Sequence, residues 1–321
     1  MKKLTTLLLC TCLLFTLLFS GAQAAEKPVR IVTTIFPLYD WTREIIGEEE
    51  GFEITLLLDS GVDLHNFQPT AKDIMNIATC DLFIYVGGES DDWVEDTLQE
   101  TANPEMRAIN LIDALGDAVK LEEMVEGMEA EHEEEGEEEE EEEADEHVWL
   151  SLRNAEAAVT IIRQELSTLL PEKAETFEQN AEQYIAALQG LDQQYGEMVA
   201  AGNVDTVLFG DRFPFRYLTD DYGLQYYAAF SGCSAETEAS FQTIVFLSQK
   251  VQELQLPAVL MIEGTNHKIA ETIIQNTAEK NQKLLVMDSM QGITIGDVND
   301  GASYLGIMEK NLAVLQEALN R

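Results

Sequence analysis

The sequence alternates short β-branched segments with segments of helical spacing, and this alternation occurs on both sides of a long helical stretch. Strands that alternate with helices form βαβ units, and such units build parallel sheets. We therefore predict an α/β fold with two parallel-sheet lobes. The predicted strands cover residues 29–36, 53–59, 81–88 and 107–113 before the long stretch and residues 206–211, 224–230, 257–264 and 283–288 after it.

The stretch between the two halves predicts one long helix over residues 171–200. Pro171 suits the first turn of a helix, and good helix formers dominate the residues that follow it. At 1.5 Å per residue such a helix is about 45 Å long. We expect it to join the lobes rigidly, with the ligand in the cleft between them. The expected division is residues 25–152 for the N-terminal lobe, 153–202 for the linking helices and 203–321 for the C-terminal lobe.

Residues 1–24 have the pattern of an export signal. Lys2 and Lys3 precede an apolar stretch over residues 7–19, and the residues AQA at 22–24 fit a cleavage site. The apolar stretch is short for a membrane-spanning helix. We predict an exported protein, periplasmic or extracellular, and an uncleaved N-terminal membrane anchor remains an alternative.

The formal net charge is −41, and residues 122–146 contain 17 of the 60 acidic side chains. This balance makes nucleic acid and anionic membranes poor partners and makes cations plausible ones. The segment over about residues 126–146 is predicted to be a disordered acidic loop, because like charges repel and few of its side chains can pack. Its role is open between gathering metal ions, with His132, and being a solvated insertion alone.

Candidate metal-binding side chains follow several predicted strands. Open parallel sheets bind ligands beyond the carboxyl ends of their strands. His65 follows the second strand, His147 follows the acidic segment, and Asp211, Glu263 and Asp288 end strands of the second half. Imidazoles with carboxylates suit zinc or manganese. Each residue alone could equally be a helix cap or a surface group.

Six stretches of the sequence resemble, in order, the zinc/manganese substrate-binding proteins of ABC transporters (cluster A-I). The stretches are TIFPLYDWTREI, HNFQPTAKDI, DLFIYVGG, DEHVWLSLRNA, DYGLQYYAAFSGCSAETEASFQTI and IEGTNHKIAETI. The resemblance covers essentially the whole chain after the predicted signal. It implies two α/β lobes joined by a long helix, one divalent metal bound between them, a membrane permease as partner and a monomeric binding protein.

The resemblance also implies a set of ligands. His65 matches the first ligand of the family, His147 the second, and Asp288 the acidic fourth ligand. At the third position the family has histidine or glutamate, and this alignment places Gly210 there. Glycine has no side chain with which to coordinate a metal, so a neighbouring residue, water or a different ligand would have to complete the site.

Three residues are candidates for the missing third ligand. Glu263 is preferred because it ends a strand of the C-terminal lobe. Asp211 is disfavoured because consecutive strand residues face opposite ways. Cys233 receives the least weight, although a thiolate would favour zinc. Arg212 would oppose a bare cation unless it pairs with an acid such as Asp211 or Glu263.

The sequence thus predicts a non-enzymatic, extracytoplasmic receptor that captures zinc or manganese and delivers it to an ABC permease. Two alternatives remain. The same scaffold could bind a metal chelate or a non-metal ligand through Arg212, or the open metal position could serve a metallohydrolase. The sequence contains no G-x-S-x-G motif, P-loop or CxxC motif.

Overall fold

Two four-stranded sheets form the centres of the two lobes. The computed structural model describes residues 27–129, 143–234, 238–264 and 266–320. Within these residues the strand orders are β2-β1-β3-β4 and β6-β5-β7-β8, and all pairings are parallel. The strands are β1 (Val29–Thr33), β2 (Phe52–Leu56), β3 (Leu82–Tyr85), β4 (Arg107–Asn110), β5 (Thr206–Arg212), β6 (Gln225–Phe230), β7 (Ala258–Ile262) and β8 (Lys283–Met287). The predicted α/β class is confirmed, and the two lobes share one strand order.

Helices connect the strands and cover the sheets. Thr70 and Asp73 make the reciprocal bonds of a capping box at the start of the second helix, as their spacing predicts. The helices are α1 (Phe36–Ile46), α2 (Ala71–Ala78), α3 (Trp93–Gln99), α4 (Leu111–Leu115), α5 (Leu152–Leu169), α6 (Ala174–Ala201), α7 (Arg216–Tyr222), α8 (Phe241–Glu253), α9 (Lys268–Asn276), α10 (Ile295–Asn299) and α11 (Tyr304–Ala318).

Helix α6 is the predicted long connection between the lobes. It has 28 residues, which corresponds to about 42 Å, and a 3-10 turn at Pro171–Lys173 precedes it. Near its start, Asn180 donates to the carbonyl of Ile45 in the N-terminal lobe at 3.0 Å. Near its end, the Tyr195 hydroxyl donates to the carbonyl of Met308 in the C-terminal helix at 2.7 Å. The helix is therefore fixed to both lobes.

The lobes also share one hydrophobic core. Trp41 of α1 packs edge-to-face on Tyr304 of α11, with ring centroids 5.1 Å apart, and both side chains are fully buried. Next to this pair, the buried Asp40 carboxylate accepts a hydrogen bond from the backbone N–H of Tyr304 at 2.8 Å. These contacts oppose large hinge motion, because separating the lobes would expose apolar surface.

The acidic segment is only partly described, since residues 130–142 and the predicted signal lie outside the described residues. The chain that follows the gap is folded. Ala144 bridges to Leu121, and the N–H of Asp145 donates to the carbonyl of Lys120 at 2.8 Å. Asp145 and Glu146 are buried. The prediction of a disordered loop reaching residue 146 is therefore wrong at its C-terminal end.

None of the helices in the described part of the chain combines the length and the hydropathy needed to cross a bilayer.

Two exposed glycines inside α6 allow the contribution of this helix to stability to be tested. A Cβ at Gly190 or Gly196 would meet no atom within 4 Å. Glycine costs a helix interior about 0.5–1 kcal/mol relative to alanine. Gly190→Ala and Gly196→Ala should each raise the free energy of unfolding, measured with urea, by about that amount.

Gly210 of β5 is the matched control, because a Cβ there would lie 2.5 Å from the Cα of Ala270. Gly210→Ala should therefore lower the free energy of unfolding, by about 1–3 kcal/mol. A stabilised Gly210→Ala protein would contradict the packing of β5 against α9.

Asp40 gives the fold a dependence on pH. Burial raises the pKa of Asp40 to about 6 from an ordinary value of 3.8, although the Tyr304 N–H and Arg43 act in the opposite direction. Between these two values the folded chain binds more protons than the unfolded chain, so stability falls as pH rises from about 4 to about 6. Asp40→Asn should remove this fall, on the order of 2 kcal/mol.

The measurement is urea unfolding of both proteins at pH 4 and pH 7. From pH 4 to pH 7, the free energy of unfolding of Asp40→Asn should rise relative to that of the wild type. An unchanged difference would show that Asp40 titrates alike in the folded and unfolded chains.

Candidate metal centre

The two predicted histidines of the N-terminal half meet between the lobes. His65 lies on a 3-10 turn (Leu64–Asn66) in the loop after β2, and the Asp63 carboxylate caps this turn by accepting the His65 N–H. His147 directly precedes a second 3-10 turn (Val148–Leu150) and is fully buried. Their Nε2 atoms are 3.2 Å apart.

The opposite nitrogen of each ring is held by polar groups. The Nδ1 atom of His147 donates to the Asp145 carboxylate at 3.0 Å. The Nδ1 atom of His65 lies 2.8 Å from the Ser90 hydroxyl and 3.4 Å from Oε2 of Glu146. A proton on each Nδ1 leaves the two Nε2 lone pairs facing each other. Partners behind the ring of this kind fix the tautomer and orientation of imidazoles that bind metals.

The spacing of the Nε2 atoms fits a shared cation. Two imidazoles bound to tetrahedral zinc at 2.0–2.1 Å place their nitrogens about 3.3 Å apart. Burial lowers the pKa of His65 to about 3, and the nearby His147 acts in the same direction. His65 is therefore neutral at physiological pH, with its lone pair available to a metal.

Cys233 joins the histidine pair from the C-terminal lobe. One ligand atom from each of His65, His147 and Cys233 can be chosen so that all three lie within 4.8 Å of one another. Cys233 lies on the loop after β6 and is not disulfide-bonded. Burial, followed by the Glu122 carboxylate, raises the pKa of its thiol. From the sequence alone, Cys233 is the least favoured of the three candidates for the third ligand.

Glu263 and Asp288 directly follow β7 and β8, but this group does not include them. The two Glu263 oxygens accept from the N–H and hydroxyl of Ser289, at 2.7 and 2.6 Å. Asp288 accepts from the N–H of Met290 at 2.8 Å. Burial, followed by the charge of Asp288, raises the pKa of Glu263 to about 7. In this structure both carboxylates brace the loop after β8, and their role as ligands stays a prediction.

The structure shows that Gly210, the expected position of the third ligand, does not face the cleft. A side chain at Gly210 would point into Ala270 of α9, not into the cleft. The register of β5 shifts between Phe209 and Arg212, so simple strand alternation fails there. The Asp211 carboxylate accepts from the N–H of Ile262 at 3.2 Å.

Arg212 is the residue of β5 that reaches the opposite lobe. Its guanidinium contacts the Asp63 carboxylate at 2.5 Å, so the acid that pairs with it is neither Asp211 nor Glu263, the two that the sequence suggested as examples. Burial raises the pKa of Asp63, but the charge and hydrogen bond of Arg212, together with His65, outweigh burial and the net pKa is lowered. The ion pair joins the loop of His65 to the C-terminal lobe and offsets the cationic charge next to the site.

Gln291 lies at the site and was not identified from the sequence. Its Nε2 atom is 3.5 Å from Nε2 of His147, and its Oε1 atom is buried without a hydrogen-bond partner. The Oε2 atom of Glu146 is also buried without a hydrogen bond. Unsatisfied acceptors of this kind favour a cation nearby. The adjacency of Asp145 and Glu146 to His147 was a usable signal for these acids, whereas no sequence pattern indicated Gln291.

Comparison with known proteins identifies related chains. The family model described as zinc-uptake complex component A, periplasmic, matches residues 31–318. The zinc-binding lipoprotein AdcA of Streptococcus pneumoniae is 32% identical over 321 residues, which is 100% of this chain and 62% of AdcA. The high-affinity zinc uptake system protein ZnuA of Bacillus subtilis is 31% identical over 301 residues, 93% of this chain and 90% of ZnuA.

Solved structures share the fold. The Zn(II)-bound ZnuA-like domain of S. pneumoniae AdcA superposes with a TM-score of 0.71 at 30% identity, covering 92% of this chain and all of that domain. The metal-dependent lipoprotein YcdH of B. subtilis gives 0.72 at 26% identity, covering 91% and 99%. The present chain thus corresponds to about three fifths of the length of the pneumococcal AdcA protein.

The tautomer of His147 can be measured without a metal. A hydrogen bond to a charged group is worth about 1.5–3 kcal/mol, so Asp145 should favour the Nδ1–H form by roughly tenfold or more. Long-range ¹H–¹⁵N spectra of the chelator-treated protein should show this form in wild type and a smaller fraction in Asp145→Asn. The exposed Asp117 gives a control of equal charge change, Asp117→Asn. A His147 protonated on Nε2 in wild type would contradict the arrangement.

Proposed function

This chain belongs to the zinc-uptake complex component A family, and from that premise we propose that it is an extracytoplasmic solute-binding protein for zinc. It captures the divalent metal between its lobes and hands it to the permease of an ABC transporter. The AdcA and ZnuA relatives are named for zinc binding and zinc uptake, which supports zinc as the cargo. We further propose export to the periplasm or cell surface, with or without a membrane tether, and function as a monomer.

The observation that carries the proposal is the histidine pair. The Nε2 atoms of His65 and His147 lie 3.2 Å apart, and the far side of each ring is held by a hydroxyl or a carboxylate. Without a cation or a shared proton, the two lone pairs would repel each other in a buried site. A zinc ion placed between them would bind both at ordinary lengths with little movement of either ring.

The surrounding charge also favours a cation. Asp145, Glu146 and Asp63 all lie next to the imidazoles. Among the described residues, the guanidinium found at the pair is that of Arg212, and Asp63 neutralises it. An anionic or chelated ligand would have to displace Asp63 from Arg212, so this contact favours a metal ion over the anion-receptor alternative. We propose binding without covalent chemistry.

The test is calorimetric titration of the chelator-treated protein with zinc and with manganese. We expect one tight zinc site. The double variant His65→Ala, His147→Ala should weaken it by more than about 100-fold, because loss of a group that only supports a ligand already costs 10–100-fold. His267→Ala is the matched control, since His267 is exposed at the start of α9. It should leave the affinity unchanged.

Salt separates this site from weak binding by the acidic segment. At high ionic strength the weak, exposed binding to carboxylates should be screened, whereas the buried site should persist. Zinc binding that survives the double histidine change, or that disappears entirely with salt, would show that the inter-lobe pair is not the receptor site.

A further inference from the structure

We infer that Cys233 provides a thiolate as the third ligand, so that the receptor site is a two-histidine, one-cysteine centre selective for zinc over manganese. The inference rests on the proposed function and specifies its donor set. It assigns the missing third ligand to the C-terminal lobe, where neither Gly210 nor Glu263 reaches the histidine pair. Three donors, one of them from the second lobe, close the metal between the lobes.

The first support is the position of the thiol. Its sulfur lies in the group of ligand atoms within 4.8 Å of one another, together with both imidazoles. Around tetrahedral zinc, with Zn–S near 2.3 Å and Zn–N near 2.05 Å, sulfur and nitrogen are about 3.6 Å apart. The 4.8 Å bound exceeds this separation by about 1 Å, so a small shift of the loop after β6 completes the centre.

The second support is the packing of that loop against His147. A Cβ at Gly232 would lie 2.9 Å from Cε1 and 3.0 Å from Nδ1 of the imidazole. Glycine thus lets the backbone approach the ring more closely than any other residue could. The close approach holds the backbone next to Cys233 against the ring of His147, which keeps the thiol within the group of ligand atoms.

The third support is Arg212, which contacts both the loop of His65 and the loop of Cys233. Its guanidinium pairs with Asp63, which caps the turn of His65, and lies 3.5 Å from the carbonyl of Ser234, directly after Cys233. One cation therefore spans the loops that carry the first and third donors. Burial and the nearby acids raise the pKa of the free thiol, so it is the bound metal that ionises the sulfur.

Selectivity follows from the chemistry of the donors. Thiolate and imidazole suit zinc, whereas manganese prefers carboxylate, carbonyl and water oxygens. With two nitrogens and one sulfur, the fourth tetrahedral position is left for water or for the Gln291 amide, whose buried oxygen has no hydrogen-bond partner. A site of this composition should discriminate strongly against manganese.

The experiment uses the full chain, freed of metal and loaded with Co²⁺ as a spectroscopic probe. A cobalt–thiolate bond gives a near-ultraviolet charge-transfer band that imidazole and carboxylate ligands do not give. We expect the band in wild type and in the control Cys80→Ser, because Cys80 is buried in the N-terminal lobe. We expect no band in Cys233→Ser, and a weaker one in Gly232→Ala, which keeps the thiol but displaces its loop.

Metal affinities complete the test. In Cys233→Ser the affinity for zinc should fall by at least tenfold more than that for manganese, measured by competition with a chelator of known affinity. A wild-type protein that binds cobalt and zinc through the histidines without the band, and with the same metal preference as Cys233→Ser, would overturn this inference and leave the proposed function intact. A wild-type protein without a histidine-dependent zinc site would instead overturn the proposed function.

Discussion

The buried segment from Asp145 to Leu150 is the element on which the site depends. Backbone carbonyls removed from water require donors, and here the C-terminal half of the chain supplies them. The Tyr217 hydroxyl donates to the carbonyl of Asp145, and the Tyr304 hydroxyl donates to that of Trp149, both at 2.7 Å. The indole of Trp149 in turn donates to the carbonyl of Ser289. The segment is thus held by residues of the C-terminal half of the chain, and His147 is held with it.

This arrangement explains why a block of acid runs directly into a histidine. The last two acids of the run have different partners from the rest, because Asp145 orients His147 while Glu146 binds the Ser90 N–H beside His65. Burial raises the pKa of Glu146, with its bonds to Ser90 acting in the opposite direction. Carboxylates buried next to imidazoles are costly unless a cation compensates them. A metal ion bound between the histidines, as proposed above, would provide this compensation.

Sequence reasoning succeeds where one local rule determines the outcome. Alternating patterns gave both sheets, and the spacing of Thr70 and Asp73 gave a capping box. It fails where tertiary structure overrides the local rule. Strand alternation cannot reveal the register shift in β5 that turns Gly210 towards α9 and sends Arg212 across the cleft.

Sequence reasoning missed Gln291 and preferred Glu263 to Cys233 for a similar reason. Carboxylates at the ends of strands resemble ligands in sequence, yet Glu263 binds Ser289 of its own lobe. Gln291 and Cys233 lie on loops whose course no periodicity describes.

The distribution of the donors limits how the site can open. A rigid α6 and a core shared through Trp41 and Tyr304 resist separation of the lobes, and His147 is fully buried within that framework. His65 and Cys233 instead lie on loops and are partly exposed. The Arg212–Asp63 pair that joins these loops is also partly exposed. Exchange of a ligand at this centre must therefore proceed by movement of the loops around a fixed His147 rather than by hinge motion of whole lobes.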